Sequence, residues 1–454
     1  MNAPATHGQP IPCGHYDRGE IHMSHPPPRS DSRIWHPYTR FSTLGDGIPC
    51  LVRGEGVFLF DAEGHRYWDA IASWWAAALG HGHPRLIEAI RSQAAKQQHS
   101  ILGNLTHPRA EELAARLAGM THGGRARVLF ASDGASAVEA ALKIALQHAW
   151  NTGQPRRTRI VSLHGAYHGD TLGAVAVGFL ESFHAPFRPL LHPSLTLPVP
   201  SSPDTEAVAG EQARALFRAH RGAIAAVIVE PLCLGAAGMR MYRPDYLRQL
   251  HTLAREEGAL FIADEIAMGF GRTGARFACD HAGITPDIVC LGKALTGGCL
   301  PLSATVVRED IYEEFSDLGA RDRTFYHGHT FAGNPIAAAC ALEALKVYEE
   351  TNLYHRAAVL GARLRDALQP LGERPQVKEI RQLGLIGAVE LRAEDPVPPR
   401  NEARPARVRK ALLRRRVLAR PLGPVAYLLP PLNITEAELD ELAGLFVESV
   451  LEAE

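Results

Sequence analysis

The stretch Asp287-Ile-Val-Cys-Leu-Gly-Lys293 places a lysine just after a short apolar run. Earlier in the chain, Phe261-Ile-Ala-Asp264 ends another apolar run on a carboxylate. Short apolar runs alternate with amphipathic helical patterns from about 80 to 340, which is typical of βαβ units. Such units build a mainly parallel sheet, and ligands bind at the carboxyl ends of its strands. The sequence therefore predicts an α/β fold in which Asp264 and Lys293 open into one crevice.

The same pattern defines the expected domains. The βαβ region predicts a large domain over 80–344. After it, helices mix with short strands, which predicts a smaller α+β domain over 345–454. The segment 34–79 contains a hairpin-like alternation without a sheet partner nearby, so we expect it to join the small domain. Residues 1–33 are rich in Pro, Gly, Ser and His and show no periodic apolar pattern, so we expect a disordered tail there.

Composition and charge favour a protein that acts on small molecules. The 454 residues are 46% apolar and 21% charged, as in globular proteins and unlike disordered or fibrous ones. The 48 basic and 49 acidic residues leave a net charge of -1, without the positive surplus that nucleic acid or an anionic membrane would attract. Seven scattered cysteines and the lack of a secretory or transmembrane apolar stretch indicate reduced thiols in a cytoplasmic protein. The irregularly spaced histidines near the N-terminus predict no metal site.

Lysine is scarce in this chain, which narrows the search for a nucleophile. Only six of the 48 basic residues are lysines. Five of these lie in helical stretches or near a strand start, where solvated positions are the ordinary explanation: Lys96, Lys143, Lys346, Lys378 and Lys410. Only Lys293 follows a buried strand at the predicted crevice. The alternatives are that Lys293 is a loop charge and that Asp264 pairs with an arginine.

A turn of small residues supplies a candidate phosphate cradle. Ser132-Asp-Gly-Ala135 follows one apolar run and opens an amphipathic helix, so the backbone N–H groups of Gly134 and Ala135 could bind phosphate with help from the helix dipole. An ordinary helix capped by Ser132 or Asp133 explains the same residues. A lysine, a carboxylate and a phosphate cradle at one sheet edge are together what pyridoxal phosphate requires. We therefore expect this cofactor.

Two further segments fit the same site. Tyr167 lies just after the predicted strand that begins at Arg159, where its ring could stack on a planar cofactor. The Gly-punctuated loop that begins at His327 places Thr330 where its hydroxyl and N–H could reach phosphate. Plain strand-to-helix turns with structural histidines at His327 and His329 are the alternative.

The chain resembles the class III aminotransferases, which are fold-type I pyridoxal phosphate enzymes, from about 34 to 448. The segments Phe261–Gly274 and Leu291–Gly298 are specific to that superfamily. Segments at Ile34, Ser73, Gly235 and Arg420 resemble its biotin-synthesis branch. The resemblance implies a large domain with a mainly parallel seven-stranded sheet and a smaller α+β domain.

The function that this resemblance implies is transfer of an amino group from S-adenosylmethionine to the ketone of 8-amino-7-oxononanoate, which gives 7,8-diaminononanoate. The nearest alternative is an ω-amino acid or diamine aminotransferase with a 2-oxo acid acceptor. An aminomutase on the same fold is a weaker alternative. A catalytically silent regulator or scaffold would need an appended binding domain, for which 33 residues and a neutral charge are insufficient.

The resemblance also implies roles for individual residues. Lys293 would form the Schiff base with the cofactor, Asp264 would contact the pyridine nitrogen, and Tyr167 would contact the ring. Gly134 and Ala135 would bind the phosphate, together with His329 and Thr330 from the second subunit of a homodimer. The substrate pocket would be lined by Tyr38, Trp74, Trp75 and Gly328. Arg420 would pair with the substrate carboxylate, for which an arginine fork is well suited. Core packing is the alternative role for Trp74 and Trp75.

Four positions depart from the pattern of this branch. Ala135 stands where serine is usual, and His329 where proline is usual. Leu234 and Met268 replace a glutamine and a threonine that are common there. These departures bear on the amino donor, which could be adenosylmethionine or lysine, and do not affect Lys293 or Asp264.

Overall fold

The computed structural model of this chain describes residues 33–39, 49–319, 321–400 and 402–453. The disordered tail predicted over 1–33 lies outside these ranges, except for its last residue. Within the same ranges, every helix is too short or too polar to cross a lipid bilayer.

The described residues form sixteen strands and thirteen helices, joined by turns and short 3₁₀ segments. The strands are β1 (Leu51–Glu55), β2 (Phe58–Asp61), β3 (Arg66–Asp69), β4 (Ala126–Ala131), β5 (Arg159–Leu163), β6 (Leu195–Leu197), β7 (Ile224–Val229), β8 (Cys233–Leu234), β9 (Arg240–Met241), β10 (Leu260–Asp264), β11 (Ile288–Leu291), β12 (Ser303–Arg308), β13 (Val377–Leu383), β14 (Ile386–Leu391), β15 (Val417–Leu418) and β16 (Val425–Leu428). The helices are α1 (Ala72–Trp75), α2 (Pro84–Ala94), α3 (Pro108–His122), α4 (Gly134–Asn151), α5 (Leu172–Val177), α6 (Glu181–His184), α7 (Pro203–Ala219), α8 (Pro244–Glu257), α9 (Glu309–Glu313), α10 (Pro335–Glu350), α11 (Leu353–Leu368), α12 (Arg404–Arg414) and α13 (Glu436–Glu452).

A seven-stranded sheet forms the centre of the fold, in the order β4-β12-β11-β10-β7-β5-β6. Strands β10, β11, β7, β5 and β6 run parallel, whereas β12 is antiparallel to both of its neighbours. The predicted α/β class and mainly parallel sheet are confirmed. Strand β6 is an addition, because its three residues are too few to show a periodic pattern.

Alternate side chains of the central strands enter two apolar cores, one on each face of the sheet. Val227 and Phe261 pack into the core that contains α8. Ile228 and Ile262 pack into the core that contains α4. Because successive strand residues point to opposite faces and both faces are covered, the strands read as continuous apolar runs.

The N-terminal strands pair with the C-terminal part of the chain. Strands β1, β2 and β3 are antiparallel, and β15 joins β3 in parallel with Val417 opposite Trp68. Strands β13, β14 and β16 form a separate three-stranded sheet. This pairing brings the segment that contains Trp74 close to the segment that contains Arg420. The domain bounds at 79 and 344 stay a prediction.

Candidate active site

A cavity of about 450 Å³ opens at the carboxyl edge of the large sheet. Its lining includes the residues that follow β4, β5, β7, β10 and β11, which the parallel strands bring to one edge. The volume suits a ligand of small-molecule size. Six of the predicted site residues line this cavity: Gly134, Ala135, Tyr167, Asp264, Lys293 and Trp75.

Lys293 begins a 3₁₀ turn directly after β11 and is partly buried. Its Nζ lies 5.3 Å from the centre of the Trp75 ring. Burial lowers the pKa of the Lys293 amine below its ordinary value, while Asp264 and Glu230 act in the opposite direction. A lowered pKa leaves more of the amine uncharged near neutral pH, and the uncharged amine is the form that attacks carbon or accepts a proton.

Asp264 is the last residue of β10 and is 5% exposed. One carboxylate oxygen accepts a hydrogen bond from Ile266 N at 3.1 Å, and the other lies 2.7 Å from His168 Nδ1. Within the described ranges the side-chain partner of Asp264 is this histidine and not an arginine. His168 orients the carboxylate, and its own Nε2 is buried without a partner.

Glu230 is a buried carboxylate that the sequence analysis missed. It directly follows β7, is 4% exposed, and accepts hydrogen bonds from Tyr167 N at 2.9 Å and Gly235 N at 3.0 Å. Burial, followed by the charge of Asp264, raises the pKa of Glu230 to about 7. Its position immediately after an apolar run was the signal that could have found it. His168, directly after Tyr167, was missed in the same way.

The start of α4 fits a phosphate group. Asp133 caps the helix by accepting a bond from Ser136 N at 3.0 Å, so the capping alternative is correct for this residue. The N–H groups of Gly134 and Ala135 lie before the first intrahelical bonds and remain available. A Cβ on Gly169 would come 2.3 Å from Ala135 Cβ, so the absence of a side chain lets the backbone close around the helix start. Thr171 Oγ1 lines the same cavity and is buried without a partner.

Tyr38, Trp74 and Arg420 form a second cluster beside this cavity. The Arg420 guanidinium lies 4.3 Å from the Trp74 ring centre, and its Nη2 donates to Tyr38 O. Tyr38 and Trp74 meet edge to face at 5.7 Å. The Tyr38 hydroxyl donates a hydrogen bond to Asp170. Because Asp170 lines the cavity, this bond connects the second cluster to it. In the part of the chain that the structure describes, no carboxylate pairs with Arg420.

The turn α1 that carries Trp74 and Trp75 is left-handed. Its four residues have φ values of 47°, 45°, 68° and 74°. This conformation costs about 1–2 kcal/mol for each L-residue, so it could not be expected from residue types alone. Trp75 is 5% exposed and donates from Nε1 to the Tyr427 hydroxyl at 3.1 Å, whereas Trp74 is 38% exposed.

Two of the four residues that depart from the pattern of the biotin-synthesis branch lie in the same apolar core as Trp75. Leu234 and Met268 are fully buried. A Cβ on Gly235 would come 2.9 Å from the Trp75 ring and 3.5 Å from Met268 Cε. Leu234 and Met268 belong to the same apolar core as Trp75 and do not line the cavity themselves.

The loop before α10 is not part of the cavity within one chain. Gly328 and Thr330 are exposed, His329 is partly buried, and none of them is among the lining residues. His327 Nδ1 instead lies 3.1 Å from Lys143 Nζ on α4. The structure therefore separates these predicted site residues from Lys293 of the same chain.

The family model for class-III aminotransferases matches residues 45–450 of this chain. The chain is 42% identical over 427 residues to the adenosylmethionine-8-amino-7-oxononanoate aminotransferase of Nitratidesulfovibrio vulgaris, covering 90% of this chain and 79% of that one. It is 43% identical to the protein of the same name from Synechococcus elongatus, covering 91% and 97%.

Solved structures are similar over the same length. The crystal structure of adenosylmethionine-8-amino-7-oxononanoate aminotransferase from Methanocaldococcus jannaschii has a TM-score of 0.88 at 36% identity, covering 93% of this chain and 97% of that one. An amine transaminase from an uncultivated Pseudomonas species, crystallised in its PLP-bound form, has a TM-score of 0.86 at 34% identity, covering 93% and 98%.

Proposed function

Because this chain belongs to the class-III aminotransferase family, we propose that it transfers an amino group from S-adenosylmethionine to the ketone of 8-amino-7-oxononanoate. The chain is a pyridoxal-phosphate-dependent aminotransferase acting on small molecules. The product would be 7,8-diaminononanoate, a step of biotin biosynthesis. The half-buried Arg420 above Trp74, without a carboxylate partner of its own among the described residues, is the observation that carries the acceptor assignment.

The residues that line the cavity support binding of the cofactor. When bound, pyridoxal phosphate supplies a carbonyl carbon for an amine and a ring that takes up electrons when a proton leaves the substrate. We assign the phosphate to the N–H groups of Gly134 and Ala135. We assign the ring nitrogen to the Asp264 carboxylate, whose charge keeps a proton on that nitrogen. Tyr167 would stack on the ring.

Lys293 would serve as nucleophile, base and acid in turn. Its amine has a pKa lowered by burial, so it can lose its proton near neutral pH and take one from the donor carbon. The same amine would pass this proton to the cofactor, and in the second half of the reaction it would deliver a proton to the carbon of the acceptor. The largely buried Trp75 ring keeps water from one side of this amine.

Arg420, Trp74 and Tyr38 would hold the far end of the acceptor. A guanidinium offers two parallel donors to a carboxylate, and the aromatic faces suit an apolar chain. Burial lowers the pKa of the Arg420 guanidinium. Because the ordinary pKa of arginine is very high, this side chain still stays charged at neutral pH.

The proposal includes a homodimer in the cytoplasm. Gly328, His329 and Thr330 would complete the cavity of the second subunit, with His329 and Thr330 reaching its phosphate. Their separation from the cavity of their own chain, and the exposure of Tyr326 at 79% and Phe331 at 63%, support this arrangement. Free, scattered cysteines support a reducing compartment.

An ω-amino acid or diamine aminotransferase with a 2-oxo acid acceptor is the second candidate. Leu234 and His329 favour it, as does the similarity to an (S)-enantioselective omega-transaminase from Thermomicrobium roseum, which has 34% identity and a TM-score of 0.86. The relatives named above favour the first candidate.

The test is to mix the purified, cofactor-loaded protein with S-adenosylmethionine alone and to follow the absorption band of the bound cofactor. Lysine, β-alanine and ornithine are run in parallel, with the Lys293→Ala variant as a control that we expect to fold but not to react. Loss of the band with adenosylmethionine, and formation of diaminononanoate after the oxononanoate is added, would establish the proposed reaction. Loss with another amine only would assign a different donor or the second candidate.

A further inference from the structure

We infer that Asp69 is a positioning residue, which holds α1 in its left-handed conformation and so places Trp74 and Trp75 against Arg420 and Lys293. This inference deepens the proposed function and rests on it for the roles of those two cations. Its observations are independent of the amino donor, because they concern only the shape of the chain.

The left-handed turn needs an external support. Four consecutive L-residues, from Ala72 to Trp75, have positive φ. The turn has its own backbone bonds, from Trp75 N to Ile71 O at 2.8 Å and from Ala76 N to Ala72 O at 2.9 Å. A right-handed turn would make equivalent bonds without the steric penalty, so these bonds do not explain the handedness.

Asp69 supplies contacts that depend on this conformation. Its carboxylate is 2% exposed and accepts from both donors of Ser73, from the backbone N at 2.8 Å and from Oγ at 2.7 Å. His81 Nε2 lies 2.8 Å from the second oxygen. Three donors thus converge on one buried carboxylate, and two of them come from the turn itself.

The backbone around Asp69 is held by the turn between β1 and β2. Asp69 N donates to Val57 O at 2.9 Å, and His81 and Gly56 exchange two backbone hydrogen bonds of 2.7 and 2.9 Å. Asp69 therefore belongs to the sheet of β1, β2 and β3, while its carboxylate oxygens bind Ser73 in α1. Through Ser73, the position of this sheet decides the position of the turn.

The turn carries one side chain to each half of the site. The Trp75 ring lies 5.3 Å from Lys293 Nζ and is fastened by the Tyr427 hydroxyl. The Trp74 ring lies 4.3 Å from the Arg420 guanidinium and meets Tyr38. A right-handed turn would direct both rings away from these positions. The Asp69 carboxylate therefore controls both the ring beside Lys293 and the ring beside Arg420.

The test compares Asp69→Ala with the double variant Asp69→Ala/Ser73→Gly. Glycine adopts positive φ without steric penalty, and Ser73 is exposed, so glycine there creates no cavity. The matched control is Asp61→Ala. Asp61 ends β2 of the same sheet and is also buried, at 5% exposure, but its hydrogen-bond partners are His65 and Tyr67 and not residues of α1.

We expect Asp69→Ala to lower kcat/KM for the acceptor about 100-fold, the scale of a misplacement of about 1 Å. In the cofactor-free protein it should change the near-ultraviolet circular dichroism of tryptophan and increase quenching of tryptophan fluorescence by acrylamide. Ser73→Gly should partly restore all three in the double variant, and Asp61→Ala should change none of them.

The inference is overturned if Asp69→Ala leaves the tryptophan signals unchanged, or if Ser73→Gly restores nothing. If Asp69→Ala does not fold, Asp69→Asn decides instead. The amide keeps one acceptor oxygen and loses the second, which faces Ser73 Oγ and His81. Asp69→Asn should therefore increase the quenching of tryptophan fluorescence, and Ser73→Gly should reduce that increase; unchanged quenching in Asp69→Asn would refute the role. The two tryptophan measurements need no substrate, so a wrong donor or acceptor would leave them intact.

Discussion

At the scale of single residues, the cavity contains buried titratable groups, and neighbouring charges only partly offset the effect of burial on their pKa values. Lys293, Asp264 and Glu230 share one cavity, and burial acts on the amine and on Glu230 in opposite directions. It disfavours the charged form in each case, which lowers the pKa of a base and raises that of an acid. Two of these groups therefore change protonation closer to neutral pH than they would in water.

The pKa of Glu230, raised from 4.5 to about 7, has a consequence for stability. Between these values the folded chain holds a proton that the unfolded chain has lost, so stability falls as pH rises through that window. Glu265, also raised to about 7, acts with the same sign. We expect Glu230→Gln to flatten the pH dependence of unfolding by denaturant between pH 4.5 and 7.

Glu265→Gln is the matched control for this prediction. It should flatten the same dependence, but only Glu230→Gln should also lower the pKa of Lys293, because Glu230 raises it. The Lys293 pKa can be measured from the pH dependence of its reductive methylation in the cofactor-free protein. An unchanged lysine pKa in Glu230→Gln would show that the two groups do not interact.

Arg420 should act on one substrate and not on the other. We expect Arg420→Ala to raise KM for the oxononanoate by about 10- to 100-fold, the value of a charge-assisted hydrogen bond of about 1.5–3 kcal/mol. Arg420→Lys should restore little, because an ammonium lacks the planar fork that pairs with a carboxylate and stacks on Trp74. The half-reaction with a donor amine that has no carboxylate is the control and should keep its rate. An unchanged KM in Arg420→Ala would remove the assignment.

At the scale of elements, the proposed phosphate site lies where the turn after β5 approaches the start of α4. Gly169 has φ +123°, and a Cβ there would overlap Ala135, two residues inside the cap of the helix. We expect Gly169→Ala to weaken binding of pyridoxal phosphate to the cofactor-free protein by about 1–3 kcal/mol, the usual cost of overpacking. The measurement is a spectroscopic titration of the cofactor.

Gly153→Ala separates the two effects of a methyl group in that experiment. Gly153 also has positive φ, at +75°, but a Cβ there meets nothing within 4 Å. It shares the backbone penalty without the contact, so its cofactor affinity should equal that of the parent. Equal losses of cofactor affinity in both variants would mean that backbone strain, and not contact with Ala135, is responsible.

At the scale of the whole molecule, the proposed homodimer predicts complementation between inactive variants. Lys293→Ala and Thr330→Asp should each be nearly inactive, the second because its charge repels phosphate. Mixed dimers would contain one site with an intact lysine and an intact loop from the other subunit. Random assembly should therefore recover about a quarter of the parent activity after co-refolding or co-expression.

A mixture of Lys293→Ala with Asp264→Ala is the control for this experiment. Both residues line the cavity of the same chain, so no mixed dimer would contain an intact site and activity should stay absent. Failure of the first mixture to gain activity would show that Thr330 does not act across subunits.

Much of the fold could be predicted because its signals are local. The runs before Asp264 and Lys293 are continuously apolar because β10 and β11 are buried on both faces, and a lysine or a carboxylate after such a run must lie at the sheet edge. The capping of α4 by Asp133 follows from residues three positions apart. Strand β6, with three residues, is too short for any such signal.

Local sequence patterns were thus sufficient for the α/β class and for placing Asp264 and Lys293 at one edge of the sheet, whereas the catalytic role of Lys293, chosen from six lysines, stays a prediction. Tertiary structure alone decided the hydrogen-bond partners of Asp264, the left-handed turn that aims Trp74 and Trp75, and the separation of the loop with Thr330 from its own cavity. The physical reason is distance along the chain. Periodicity and capping act over a few residues, whereas the bond between Trp75 and Tyr427 joins residues 352 positions apart and exists only once the chain has folded.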